Sequence, residues 1–342
     1  MAAIDSFEDV RGLGETELRR LLDSGRPEER VWALWALALR SADVGALAAR
    51  AEPDPGVRRN LAVVLAGHGQ LELLLALARR DPAPEVRAAA MQLVTRFAID
   101  GKLPAALVGE RVAGDGSEVR LAVLGTMFAN APPWLVEIAQ QLLEDSDGDV
   151  RYEAFEALVR AGAPAHALMW LEESPEAEAR VALMRWSARG RVRACAELLA
   201  RASRRMRRLL IESVRVATWH DLEPAIGDET ALLRALARRN PNVFDEMPLA
   251  PLMRATLREP NPAWLAMIRD RLARLETPDD PEVSALLHDF RELCAERVVA
   301  LDKAIRELRK QRDSDEHEIA MLEDQRVVLE SALDHASRML VH

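Results

Sequence analysis

The chain has 342 residues, 49% hydrophobic and 4% aromatic, with a formal net charge of −10. That much apolar material excludes wholesale disorder, and the abundance of Ala, Leu, Arg and Glu, all strong helix formers, points to an all-α chain. Only three of the 46 basic residues are lysines (Lys102, Lys303 and Lys310), a bias of the kind a GC-rich genome imposes, so no single arginine is informative alone.

The first ten residues, MAAIDSFEDV, are acidic and lack the basic and apolar regions of a signal peptide. The most continuous apolar run, LELLLALA at 71–78, is far short of the roughly 18–20 residues a membrane span needs. A soluble, cytoplasmic protein with no membrane contact is expected. Cys195 and Cys294 fall in predicted helices without C-x-x-C or metal spacing, and read as two buried thiols in a reducing compartment.

From the N-terminal region onward one phrase recurs. It reads PDPGVRRNLAVVLA at 53–66, DPAPEVRAAAMQLV at 81–94, DGSEVRLAVLGTM at 115–127 and SDGDVRYEAFEALV at 146–159. The aligned arginines are Arg58, Arg87, Arg120 and Arg151, with weaker copies at Arg30, Arg180 and Arg207. A period near 30 kept over about seven copies marks a stacked array. Each phrase opens a helix: Pro, Asp, Ser or Gly, an acidic first turn, then apolar residues at helical spacing. Between phrases lie second apolar stretches, such as 71–80, 103–113 and 133–144. Each repeat is therefore a helix pair that completes its core only by stacking on the next. Trp32 and Trp35 share a helix face in the first copy. Burial against the next repeat is expected of them, with a partner-anchoring role as the alternative.

Proline or aspartate, then Val-Arg, then Ala and Leu at helical spacing resembles the second helix of HEAT repeats, in the compact bacterial variety related to bilin-lyase repeats. The resemblance covers roughly residues 15–217. It implies that Val57, Val86, Val119 and Val150 pack inside. It also implies that Arg58, Arg87, Arg120 and Arg151 form a structural ladder, each reaching an acidic group in a neighbouring repeat's turn, rather than an arginine row that grips phosphate.

Between 240 and 281 the texture changes, with seven of the 18 prolines, several placed where they would start helices. This reads as irregular helices that close the array. From Glu282 to His342 there is no Gly or Pro, and apolar residues fall into a heptad. Val298, Leu301, Ile305, Leu308, Ile319, Leu322, Leu329 and Leu333 are the candidate helix-docking positions. The segment is either one helix of roughly 90 Å or an antiparallel hairpin turning at 313–316, where the polar run RKQRDSDEHE would make a weak dimer seam. The expected architecture is an all-α solenoid of HEAT-like helix pairs over 1–239, a Pro-rich helical closing region over 240–281, and a coiled-coil helix or hairpin over 282–342. Removing 282–342 is expected to leave a folded, helical protein.

No catalytic motif stands out: there is no G-x-S-x-G, P-loop or H-E-x-x-H. The glycines of AGHGQ (66–70) and GLGE (12–15) read as loop glycines. The seven histidines are scattered and the carboxylates sit at helix starts, so no metal and no cofactor is expected. A HEAT-type lyase or glycosylase would need a pocket with a perturbed carboxylate or histidine, and none can be placed.

One stretch is uneven in charge. Residues 180–215 hold Arg180, Arg185, Arg189, Arg191, Arg193, Arg201, Arg204, Arg205, Arg207, Arg208 and Arg215, opposed in sequence only by Glu197 and Glu212, a net +9 in an acidic chain. It is a candidate surface for an anion or a partner. Solvated or intramolecular pairing is the plainer reading. Trp186 and Trp219, nearby, read as core. The expected function is a non-catalytic scaffold or adaptor that binds one or more proteins, with docking or homo-oligomerisation through 282–342. The alternative is nucleic-acid binding through 180–215.

Overall fold

A computed structural model of the chain describes residues 6–40, 43–48, 51–188, 190–214, 217–227, 229–239, 242–275, 280–310 and 316–340. Among the described residues every regular element is an α-helix. The chain divides into two compact units, Met1–Glu173 and Ser174–His342.

The first unit holds α1 (Phe7–Arg11), α2 (Glu15–Ser24), α3 (Pro27–Leu39), α4 (Val44–Ala48), α5 (Pro55–Gly67), α6 (Leu71–Arg80), α7 (Pro84–Ile99), α8 (Ala106–Gly114), α9 (Ser117–Leu124), α10 (Pro133–Leu142), α11 (Gly148–Arg160) and α12 (Pro164–Glu173). Odd-numbered helices form a row: α1 packs on α3, α3 on α5, α5 on α7, α7 on α9 and α9 on α11. Even-numbered helices pack against members of that row, as α6 does on α5 and α7, and α12 on α11. Each recurrent phrase therefore opens one helix of the row.

Local chemistry explains the helix starts. Proline stands in the first turn of α3, α5, α7 and α10, where its missing N–H would have no partner anyway. The Asp54 side chain accepts the Val57 N–H to cap α5. The stops are as regular. Gly69, Gly101 and Gly162 take left-handed backbone angles, φ 66°, 71° and 80°. The residue after each donates back to the carbonyl five positions earlier: Gln70 to Leu65, Lys102 to Phe97 and Ala163 to Leu158. This 6→1 bond is the Schellman closure, which favours glycine. After α9, Asn130 (φ 65°) supplies the left-handed turn.

The phrase valines are core: Val57 is 2% exposed, and Val86, Val119 and Val150 are fully buried. Trp35 is half-buried and donates from Nε1 to Oδ1 of Asn60 on α5, at 3.2 Å. Its indole is tied to the next repeat, but the ring is not fully buried there. Trp32 is half-buried.

The second unit holds α13 (Glu176–Ala188), α14 (Val192–Leu199), α15 (Arg204–Ser213), α16 (Trp219–Ile226), α17 (Thr230–Arg239), α18 (Val243–Glu246), α19 (Leu249–Arg258), α20 (Pro262–Leu272), α21 (Pro281–Lys310) and α22 (Glu316–Met339). Its odd-numbered row runs α13, α15, α17, α19, α21, each packed on the next. On the other side α14 packs on α16, and α20 on α22. Trp186 and Trp219 are 2% and 4% exposed and belong to its core. The division at Glu173/Ser174 falls inside the segment 1–239 marked out from the sequence, and 240–281 and 282–342 lie together in the second unit.

The terminal segment forms two helices packed on each other, α21 and α22, joined by residues 311–315, which lie outside the described residues. Ion pairs fix an antiparallel register: Arg309 meets Glu323, and Arg326 meets Asp302 at 2.9 Å. The alternative of a single helix is therefore excluded. The hairpin is also the last layer of the stack, because α21 packs on α19 and α22 on α20. Val283, Leu287, Phe290 and Cys294 on α21, and Leu329, Ala332 and Ala336 on α22, are buried. Of the candidate docking positions, Ile305 and Leu329 are buried. Val298, Leu301, Leu308, Ile319, Leu322 and Leu333 are half-buried.

Candidate functional site

The phrase arginines of the first unit form a continuous ladder. Arg30 pairs with Glu52 at 3.0 Å, Arg58 with Asp81 at 2.8 Å, Arg87 with Asp115 at 2.9 Å and Arg120 with Asp145 at 2.8 Å. Each acid stands just before the next helix of the row, and its own backbone carbonyl accepts the next arginine. Thus Arg58 donates to Glu52 O, Arg87 to Asp81 O, Arg120 to Asp115 O and Arg151 to Asp145 O, at 2.6–2.9 Å. The same carboxylates also accept backbone N–H groups at the helix starts, from Asp54, Ala83, Gly116 and Asp147. The acid side chains are nearly buried, at 2–9% exposure. These arginines are structural and offer no phosphate grip.

Burial pushes the Asp115 carboxyl up, but Arg87, the Gly116 N–H and Arg111 outweigh it and hold the group below the usual carboxylate range. The partner Asp81 raises the Arg58 guanidinium, and Asp115 raises that of Arg87. In both cases hydrogen bonding to the charged form is the dominant cause.

The basic stretch 180–215 is met by more acid than its own sequence holds. Arg180 reaches Glu176 at 3.0 Å and Glu212 at 3.3 Å, and Arg208 reaches Glu212 at 2.7 Å. Arg204 pairs with Glu229 at 2.7 Å, and Arg207 pairs with the same carboxylate. Arg193 pairs with Glu197 at 2.9 Å and donates to the carbonyl of His220 at 2.6 Å. Arg205 donates to the Ser174 carbonyl at 3.1 Å. Arg185 and Arg191 are half-buried and engaged in interactions within the chain. Arg201 is exposed, with no partner among the described residues. Arg189 and Arg215 lie outside the described residues. Glu176 and Glu229 come from outside the stretch and lower its +9 to +7, while carbonyls hold other guanidiniums in place. Arg208 and Arg180 hold the Glu212 carboxyl below its usual range against a weaker desolvation. At Glu229 burial is the largest influence and raises the carboxyl, but Arg204 and Arg207 together prevail and lower it.

The arrangement that survives as a surface is narrower and lies partly elsewhere. An open groove of about 490 Å³ runs between α15 and α17, lined by Arg204, Arg208 and Glu212 on one side and Arg234, Arg238 and Arg239 on the other. Its floor is apolar, formed by Ala231, Leu232 and Ala235. Arg234 is paired with Glu259 at 2.8 Å. Arg238 and Arg239 are exposed and have no partner among the described residues. The sequence window stopped at 215 and so missed the second wall. The signal was present as an R-x3-R spacing, Arg204/Arg208 and Arg234/Arg238, which puts each pair on one face of its helix.

Both cysteines are buried. Burial raises both thiols, that of Cys294 to about 12, and so disfavours the thiolate form. Among the described residues no helix is long and apolar enough to cross a membrane.

No protein-family model and no curated protein matches the chain. Among solved structures, a structural-genomics X-ray structure of YibA from Escherichia coli is similar at 19% identity and a TM-score of 0.39, over 70% of this chain and 99% of that one.

Proposed function

We propose that this protein is a non-catalytic, cytoplasmic scaffold built from HEAT-like helix pairs, and that it binds other proteins through the exposed face of its helix row. The observation that carries this reading is the α15/α17 groove. It is an open trough with arginine walls, an apolar floor and two exposed guanidiniums unpaired among the described residues. An open trough of this composition suits holding a partner's side chains. The terminal hairpin adds exposed apolar side chains, Val299 at 69%, Met321 at 48% and Val327 at 56%, on which homo-oligomerisation would draw. No cofactor or metal enters this reading.

The second reading is nucleic-acid binding, favoured by the arginine density of 180–215. Both are tested by affinity capture of the tagged full chain from lysate of its source organism, with half the sample treated with nuclease. Specific proteins that persist after nuclease, and are lost with a groove variant, support the scaffold. Retained material that is nucleic acid and vanishes with nuclease overturns it.

A further inference from the structure

We infer that the α15/α17 groove is a docking site for an amphipathic helix with acidic flanks, presented by a partner protein. The inference deepens the scaffold reading and rests on it only for the claim that the partner is a protein.

Three observations converge. The first is spacing. Arg204 and Arg208 lie one turn apart on α15, and Arg234 and Arg238 lie one turn apart on α17. Four residues of helix advance about 6 Å. Two guanidiniums at that spacing on each wall match carboxylates at i and i+4 on a helix laid along the trough. The second is the floor. Ala231 and Ala235 lie one turn apart with Leu232 between them. Two small side chains at this spacing leave room for a partner's apolar ridge to approach the α17 backbone. The third is availability. Arg204 and Arg208 are 69% and 65% exposed although each touches a half-buried carboxylate, and an ion pair whose guanidinium is this exposed holds weakly. Arg238 and Arg239 need no release at all. Exposed arginines without a partner among the described residues also occur elsewhere, for example Arg59 and Arg96. The groove differs in gathering them around an apolar floor.

Charge decides between a protein and a nucleic acid. The groove holds five guanidiniums, and Glu212, Glu229 and Glu259 are ion-paired with three of them. Arg180 and Arg207 share two of these carboxylates, so seven guanidiniums face three carboxylates, a surplus of four positive charges on a chain of net charge −10. Nucleic-acid binding draws its affinity mainly from neutralised phosphates, about six to ten of them in a strongly salt-dependent binder, more than this groove can engage. An acidic helix needs fewer charge-assisted contacts, because apolar burial on the floor supplies the rest.

The test is a fluorescence-anisotropy titration of the purified full chain into three labelled probes. One is a 16-residue peptide with glutamates at i and i+4 on both flanks of an Ala/Leu ridge. The second is the same composition scrambled to destroy the spacing. The third is a 20-nucleotide single-stranded DNA. The expected result is binding of the patterned peptide at least tenfold tighter than the scrambled one and the DNA, weakening with salt. The double variant R238E/R239E should lower that affinity at least tenfold while the circular-dichroism spectrum stays unchanged. A milder variant, R238Q/R239Q, should fall between them. Equal binding of patterned and scrambled peptides overturns the proposal, as does patterned-peptide affinity unchanged in R238E/R239E. DNA binding that is tighter than the peptide and lost in that variant overturns it too, and assigns the groove to nucleic acid. Patterned-peptide binding in vitro with no protein captured from lysate would leave the groove assignment standing and sink the scaffold reading.

Discussion

Arg87 on α7 donates from Nε and Nη2 to Asp115, at 3.1 and 2.9 Å, across 28 residues of sequence, and Asp115 in turn offers its own carbonyl to Arg120 on α9. One aspartate thus joins two consecutive helices of the row: it anchors the arginine of α7, accepts the Gly116 N–H at the start of α9 and orients the arginine of α9. Removing one partner of such a nearly buried pair leaves the other charge without compensation. Asp115→Ala is expected to cost about 3 kcal/mol, and Asp115→Asn less, because the amide keeps the acceptor for Gly116 but not the charge. Urea titration followed by circular dichroism checks both. A loss below about 0.5 kcal/mol for Asp115→Ala would show that the ladder contributes nothing beyond geometry.

The same carboxyl sets a pH response. Its folded pKa lies below the unfolded value, so its contribution is fully present above the unfolded pKa of about 4 and is lost as pH falls through the folded pKa. Stability should be flat from pH 7 to about pH 5 and decline below about pH 4. Asp115→Asn should decline less steeply there, since it has no such proton to take up. Thermal melts at half-unit steps of pH measure the difference, and parallel curves for the two proteins would refute the assignment.

Trp35 gives a sharper test of core against surface. Its indole N–H reaches Asn60 on the next helix of the row. Trp35→Phe should cost about 1–2 kcal/mol from the lost hydrogen bond and reduced packing. It should leave binding of any captured partner unchanged. A variant of full stability that loses a partner would instead make this tryptophan an interface anchor.

Deleting 282–342 should not leave the second unit intact. The cut strips α21 from α19 and α22 from α20, exposing Leu265 and Ile268, which are 4% and 0% exposed in the full chain. The truncated protein is expected to bind a hydrophobic dye and to lose helical signal beyond the 61 deleted residues. Limited proteolysis should yield a resistant fragment ending near Glu173, where the first unit ends. A truncation with undiminished cooperativity would return the hairpin to the status of an appendage.

The sequence by itself determined the all-α class and the helix-pair period. Both follow from local patterning: proline and aspartate at starts, apolar residues at helical spacing. The buried valines came from the resemblance that the recurrent phrase carries. It also held a signal that was read too narrowly. The left-handed turns at Gly69, Gly101, Asn130, Gly162 and Gly190 keep the same period near 30 as the arginines, and follow α5, α7, α9, α11 and α13. The tertiary structure alone decided three things. It closed 282–342 into a hairpin, because the inter-helix pairs Arg309–Glu323 and Arg326–Asp302 depend on register that a heptad leaves open. It made that hairpin the final layer of the second unit, because α21 packs on α19 and α22 on α20, contacts that local patterning does not specify. It also redistributed the basic stretch. Charge along a chain sums neighbours in sequence, whereas the field at a surface sums neighbours in space. Glu176 and Glu229 therefore neutralise arginines from outside the 180–215 window, while Arg234, Arg238 and Arg239 join the groove from beyond it.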